Sequence, residues 1–67
     1  MITVDIAYNV YDTEYIKTIE CDYIREYRDH FTAVKRLGNG KYLRWWINKS
    51  NIVYLVILEK EEVKRYE

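Results

Sequence analysis

The first ten residues alternate between apolar and polar positions. The apolar or aromatic positions are Ile2, Val4, Ile6, Tyr8 and Val10. A period of two, carried by β-branched and aromatic residues, predicts a strand with one buried face. Asp12 and Thr13 are turn-forming types, so we expect the chain to reverse there.

Residues 15–34 carry two overlapping patterns. Apolar and aromatic residues recur at spacings of three and four, as on one face of a helix, at Ile16, Ile19, Tyr23, Tyr27, Phe31 and Val34. Tyr, Ile, Thr, Val, Phe and Cys nevertheless supply 11 of these 20 residues, and such types favour a pleated sheet. We favour a long strand from Glu14 to about Arg28 with a tight turn near Asp29 and His30. A helix over residues 13–30 is the alternative.

A hairpin is predicted over residues 31–47. Two β-rich segments flank Gly38, Asn39 and Gly40. Asn-Gly tolerates positive φ at both turn positions, and the additional glycine can form a bulge. On the second strand of this hairpin, alternation places two sets of residues on opposite faces. The sets are Leu43, Trp45 and Ile47, and Tyr42, Arg44 and Trp46.

The last third of the chain changes from apolar to charged. A polar turn over residues 48–51 precedes a nearly continuous apolar segment over residues 52–58. Such a segment predicts a final strand, buried on both faces or with one face in an interface. The remainder is mostly charged and is expected to be a short helix, a strand extension or a frayed tail. We therefore predict one β-rich domain over residues 1–58 and a charged C-terminal extension over residues 59–67.

One segment resembles a known architecture. Residues 46–55, Trp-Ile-Asn-Lys-Ser-Asn-Ile-Val-Tyr-Leu, are similar to the closing strand–turn–strand element of SH3-like and Sm-like small barrels of phage and prophage type. The resemblance implies an all-β, five-stranded barrel used for binding. The alternative is an α+β fold, βαββ, with the helix over 13–30 packed on a three-stranded antiparallel sheet.

Catalysis is not predicted for this chain. Ser50 and His30 are the only residues of their types, and Cys21 is the only cysteine, so no internal disulfide can form. We expect Cys21 to be a buried apolar residue and His30 to lie in a turn. No recognised set of metal ligands and no phosphate-binding glycine loop is present. The expectation is a protein that is not an enzyme and has no catalytic residues, metal or cofactor.

Charge is concentrated in one part of a neutral chain. Residues 1–34 have a net charge of −4, residues 35–49 of +5 and residues 50–67 of −1. Aromatic side chains lie within the basic stretch, which predicts a basic aromatic hairpin as the contact surface. The predicted partner-binding residues are Tyr42, Arg44, Trp46, Lys35, Arg36, Lys41 and Lys49.

Three interpretations of the hairpin remain open. Docking on a protein partner, such as a host factor, is favoured, because a neutral chain with separated charges suits complementary docking. Self-association is expected to accompany it. Binding of single-stranded nucleic acid or RNA through the same hairpin is the alternative. In the third interpretation Trp45 fills the core, Trp46 covers a barrel end and the charges are simply solvated.

The source and location of the protein are inferred from composition. Residues with AT-rich codons (Ile, Tyr, Lys, Asn, Phe and Met) far outnumber those with GC-rich codons (Gly, Ala, Arg and Pro), which indicates an AT-rich gene. Such genes occur in low-GC bacteria, their phages, and some archaea and archaeal viruses, and we expect a phage, viral or mobile-element gene. The first residues lack the basic stretch and apolar run typical of a secretory signal, so we expect no leader, and the longest apolar segment is much shorter than the roughly 20 residues of a membrane span. We expect a cytoplasmic protein without membrane contact.

Overall fold

The computed structural model describes residues 1–66, which form two antiparallel sheets. The strands are β1 (Ile2–Val10), β2 (Thr13–Cys21), β3 (Tyr23–Glu26), β4 (His30–Gly38), β5 (Lys41–Asn48), β6 (Tyr54–Ile57) and β7 (Glu62–Arg65). The prediction of an all-β fold is confirmed. The alternative helix over 13–30 is wrong, because those residues form β2 and β3 and begin β4. Their β-branched and aromatic side chains outweigh the helical spacing.

The four-stranded sheet has the order β2-β1-β6-β7, and the three-stranded sheet has the order β3-β4-β5. In the described residues the sheets do not close into a barrel, so the predicted five-stranded barrel is not confirmed. The long strand predicted from Glu14 to Arg28 is divided at Asp22. The Asp22 N–H donates to the Val34 carbonyl at 2.8 Å, and its Oδ2 accepts the Arg36 N–H at 2.6 Å. These two bonds hold the chain where it passes from one sheet to the other.

In both two-residue hairpin turns, each of the two turn residues has a positive φ. The β4–β5 hairpin turns at Asn39 (φ 52°) and Gly40 (φ 74°), and a bulge lies between Arg36 and Gly38, as the sequence predicted. The first turn is one residue earlier than predicted. Val10 pairs with Thr13, so the turn consists of Tyr11 and Asp12, with φ of 49° and 64°.

The chain continues beyond the strand predicted to be last. β6 is shorter than the apolar segment 52–58, and a 3-10 helix, Leu58–Lys60, follows it. The chain then reverses at Glu61, where φ is 51°, and β7 pairs with β6. Of the three possibilities for the predicted extension 59–67, a strand is therefore what the described part forms. Glu67 lies outside the described residues.

The core lies between the two sheets. Its buried side chains are Val4, Ile6, Ile19, Cys21, Phe31, Ala33, Ile52, Leu55 and Ile57. Cys21 is fully buried, as predicted, and this burial raises the pKa of its thiol. Because strand residues alternate between faces, the second face of β3, β4 and β5 is directed away from the core, although Val34 on this face is only 3% exposed. No helix in the described chain is long and apolar enough to span a membrane.

Candidate functional site on the three-stranded sheet

The outer face of the three-stranded sheet is a trough about 310 Å³ in volume. Its lining residues are Tyr23, Arg25, Tyr27, His30, Thr32, Val34, Arg44 and Trp46. The central strand β4 contributes the small side chains Thr32 and Val34 as a floor. The flanking strands contribute large side chains that form the two walls. A concave surface with aromatic walls and a few charged groups is typical of a ligand site.

The register of the strands fixes the order of residues across the trough. One row consists of Tyr23, Val34 and Arg44, and the next of Arg25, Thr32 and Trp46. Each row therefore has an aromatic ring on one wall and a guanidinium on the other. In the first row the ring is on β3 and the guanidinium on β5, and in the second row the two are exchanged. This diagonal arrangement places one arginine on each side of the floor.

Three stacked rings close one end of the trough. The ring centroids of Tyr27 and His30 are 4.7 Å apart with an interplanar angle of 11°, and those of His30 and Trp46 are 3.7 Å apart at 10°. The indole Nε1–H of Trp46 donates to Asn48 Oδ1 at 2.9 Å. Trp46 is nevertheless 62% exposed. We call these three rings the ring column. It holds the exposed indole in one orientation.

Trp46 lies on a ridge between two hollows. One side borders the trough, and the other borders a groove of about 250 Å³ between β5 and the strands β1 and β2. Since His30 covers only one indole face, the second face is available for contact. Trp45, its neighbour, packs half-buried against the core. The prediction that these two indoles lie on opposite faces of β5 is confirmed.

Arginine supplies the positive charge of the outer face. The guanidinium of Arg25 lies 5.4 Å from the Tyr23 ring centroid, a cation–π contact. Among residues 1–66, no Asp or Glu lines the trough. Carboxylates occur at its two ends: Asp22 accepts the Arg36 N–H, and Asp29 Oδ1 lies 2.6 Å from His30 Nδ1. The hydrogen bond with His30 lowers the pKa of Asp29.

The structure brings together only part of the predicted partner-binding set. Arg36, Tyr42, Arg44 and Trp46 are exposed and occupy alternate positions of one face of the hairpin. The three lysines of the set do not line the trough. The predicted surface is therefore divided.

The lysines predicted for the site lie outside the trough. Lys35 pairs in register with Leu43 and lines a hollow on the opposite face of the hairpin, next to β2. Lys41 is exposed at the end of the hairpin, opposite Gly38. Lys49 donates to Glu26 Oε2 at 2.8 Å, and its Nζ lies 5.3 Å from the Phe31 ring centroid.

Glu26 accepts hydrogen bonds from side chains of the 3-10 helix Lys49–Asn51 and of the C-terminal segment. It accepts hydrogen bonds from Lys49 at 2.8 Å, Lys64 at 2.5 Å and the Tyr66 hydroxyl at 3.3 Å. The hydrogen bonds from Lys49 and Lys64 lower the pKa of Glu26 to about 2, and Glu26 raises the pKa of Lys64. This cluster joins β3 to β7 and to the 3-10 helix Lys49–Asn51.

Half of the trough was not identified from the sequence. Tyr23, Arg25 and Tyr27 form one wall, and His30 is the middle ring of the ring column rather than a turn residue. Their period-two spacing was the available signal. It was obscured by the helical spacing of Ile19, Tyr23 and Tyr27 in the same segment.

The residues considered for catalysis lie in different places. Cys21 is in the core, His30 is on the outer face and Ser50 is exposed in a 3-10 helix. Within residues 1–66, no group of three or more His, Cys, Asp or Glu side chains is arranged to hold a metal ion.

No protein-family model, curated protein or solved structure matches this chain.

Proposed function

We propose that this protein is a non-catalytic interaction module that docks on a protein partner through the outer face of β3, β4 and β5. The observation that carries the proposal is Trp46, which is 62% exposed and yet held in one orientation by His30 and Asn48. Trp, Tyr and Arg are the residue types most enriched at binding hot spots. This face presents all three.

Preorganisation supports docking at this face. An exposed side chain that is immobilised on binding costs about 0.5–1.5 kcal/mol. The ring column and the hydrogen bond to Asn48 already restrict Trp46 in the free protein, so less of this cost remains. The adjacent arginines supply charge that favours an oppositely charged partner.

Fold type and origin belong to the same proposal. The order of elements supports an open relative of the SH3-like and Sm-like small barrels: a strand, a long strand bent at Asp22, a hairpin, a 3-10 turn and a short strand. We propose a phage, viral or mobile-element origin on the codon composition, and a cytoplasmic location. Folds of this kind have many functions, so the outer face and not the fold carries the functional proposal.

Comparative affinity capture from cells of the source organism tests this function. The tagged wild-type chain, Trp46→Ala, Arg44→Gln and the control Val63→Ala would be used as baits. Val63 is 51% exposed on the other sheet. We expect one protein to be recovered by the wild type and by Val63→Ala and to be lost with the other two variants. Equal recovery by all four baits would contradict the proposal.

Binding of single-stranded nucleic acid is the second candidate. The open face of Trp46 favours it, because a base stacked on an aromatic ring gains about 1–3 kcal/mol. Binding of a short oligothymidylate at low salt that is lost with Trp46→Ala and weakens steeply as salt is added would support this candidate. Absence of binding at low salt would exclude it.

A further inference from the structure

We infer that the trough binds a short acidic segment of the partner protein, extended along β4, with its carboxylates on Arg25 and Arg44. This inference rests on the proposed function and specifies the chemistry of the partner. The floor of the trough is formed by Thr32 and Val34 of β4, of which Val34 is only 3% exposed, and its two arginines lie on opposite walls.

The dimensions of the trough suit one extended chain. Neighbouring strands are about 4.8 Å apart, so the backbones of β3 and β5 are separated by roughly 10 Å across the floor. Residues two apart on a strand are separated by about 6.8 Å. Thr32 and Val34 mark this step along β4, and Arg25 and Arg44 belong to the two successive rows. An extended segment presents side chains to one face at the same interval, so two alternate carboxylates match the two arginines.

Carboxylate is the ligand chemistry that these arginines favour. A guanidinium presents a planar pair of N–H donors that matches a carboxylate in bidentate geometry. Arg25 already contacts the Tyr23 ring at 5.4 Å, which places its guanidinium at this wall of the trough. In the described chain no carboxylate lines the trough to compete for either arginine.

The ends of the trough distinguish an acidic protein segment from a nucleic acid. Asp22 lies beyond the row of Tyr23, and Asp29, whose side chain is 85% exposed, lies beyond the ring column. A polynucleotide carries a phosphate at every step and would pass one or both of these carboxylates. A protein segment can limit its acidic residues to the positions opposite Arg25 and Arg44. The short positive region therefore favours a protein segment.

Side-chain NMR with matched probes tests the inference. One probe is a short blocked peptide with glutamate at every second position. The second has glutamine at the same positions, and the third is a short oligothymidylate. Each is titrated into the full chain while the Arg Nε and Trp Nε signals are followed. The variants are Arg25→Gln, Arg44→Gln and the control Arg28→Gln, which makes the same charge change in the loop between β3 and β4, outside the trough lining.

We expect the glutamate peptide to shift the signals of Arg25, Arg44 and Trp46 and to bind more tightly than the glutamine peptide. Arg25→Gln and Arg44→Gln should each weaken binding about five- to tenfold, as expected for a charge-assisted hydrogen bond at a partly exposed site. Arg28→Gln should weaken it less than about twofold. Native spectra of the variants would show that folding is retained.

Three results would overturn the inference. They are equal binding of the two peptides, equal loss with all three arginine variants, and binding of the oligothymidylate alone. The proposed function is tested separately by the capture experiment. If Trp46→Ala loses the captured protein but the glutamate peptide has no advantage, the docking face stands and the acidic segment is wrong. If capture is unaffected by Trp46→Ala, the docking face itself is wrong.

Discussion

At the scale of single residues, the neighbours Trp45 and Trp46 have different roles: the first packs on the core and the second is exposed on the proposed docking face. They are adjacent in sequence, and β-strand alternation directs them to opposite faces. Trp45 packs on the core cluster, whereas Trp46 is held on the outer face by His30 and Asn48. Substitutions at the two positions should therefore have different effects.

We predict that Trp45→Ala lowers the free energy of unfolding by about 2–3 kcal/mol, since it removes a large, half-buried side chain from the core. Trp46→Ala should lower it by about 1 kcal/mol or less, the scale of one aromatic stacking contact. Urea unfolding of both variants measures the difference. If Trp46→Ala were as destabilising as Trp45→Ala, Trp46 would be a structural residue and the docking proposal would lose its support.

Glu26 carries the second residue-scale prediction. Hydrogen bonds from Lys49 and Lys64 lower its pKa to about 2, from an ordinary value of 4.5. Because the folded pKa is the lower one, its stabilisation is fully present above about pH 4.5 and is lost as the pH falls towards 2. We expect Glu26→Gln to be less stable than the wild type at neutral pH and to lose less stability on acidification across this range.

Unfolding by urea at a series of pH values tests the role of Glu26. Glu14→Gln is a matched control, since Glu14 lies exposed on β2. This control should retain the wild-type acid dependence. The same acid dependence in Glu26→Gln as in the wild type would contradict the assignment of the bonds to Glu26.

At the scale of elements, the two hairpin turns differ in how well their residues suit positive φ. The β4–β5 turn has Asn39 and Gly40, types that adopt this conformation readily, whereas the β1–β2 turn has Tyr11 and Asp12. Tyr11 is 97% exposed, so little packing compensates for its backbone conformation.

We predict that the double substitution Tyr11→Asn, Asp12→Gly raises the free energy of unfolding by about 0.5–1 kcal/mol, because both new residues favour positive φ. The reciprocal change Asn39→Tyr should lower it by a similar amount. Denaturant unfolding measures both changes. A double variant no more stable than the wild type would show that the turn conformation is not strained.

Local chemistry also decided which elements could be predicted. An Asn-Gly pair between two β-rich segments is a strong hairpin signal by itself. The hairpin of β4 and β5, its turn and its bulge were therefore predicted correctly. The first turn was predicted one residue too late, at Asp12 and Thr13, because Tyr11 is not a turn-forming type. The division between β2 and β3 at Asp22 depends on hydrogen bonds to Val34 and Arg36, which are distant in sequence. No local pattern encodes such a bend.

At the scale of the whole molecule, the trough combines the β4–β5 hairpin, which the sequence predicts as a contact surface, with a wall from β3 and Tyr27, which it does not. The predicted basic hairpin contributes Arg44 and Trp46 to the trough, because their alternation and charge lie within one short segment. Arg25 and Tyr27 are brought opposite them only by the pairing of β3 with β4. The lysines of the predicted set lie outside the trough, because a count of charge along the chain does not distinguish the two faces of a hairpin.

The C-terminal strand gives a prediction at this scale. Deletion of residues 61–67 removes β7 together with Lys64 and Tyr66, which bond to Glu26. We expect the deletion to lower the free energy of unfolding by at least about 2 kcal/mol, since the hydrogen bonds between β6 and β7 and the contacts of Glu26 are lost together. Self-association should increase, since β6 becomes an apolar edge. Thermal unfolding and light scattering measure both effects. An equally stable monomer would contradict this prediction and show that residues 61–67 are dispensable for folding.

The most direct test of the docking face is an amide chemical-shift map of the labelled chain titrated with the purified protein that the capture experiment recovers. Our account predicts that the shifts concentrate on β3, β4 and β5, at the residues around Arg25, Arg44 and Trp46. Shifts concentrated on the exposed face of the four-stranded sheet, around Ile16 and Val63, with the trough unchanged, would contradict it.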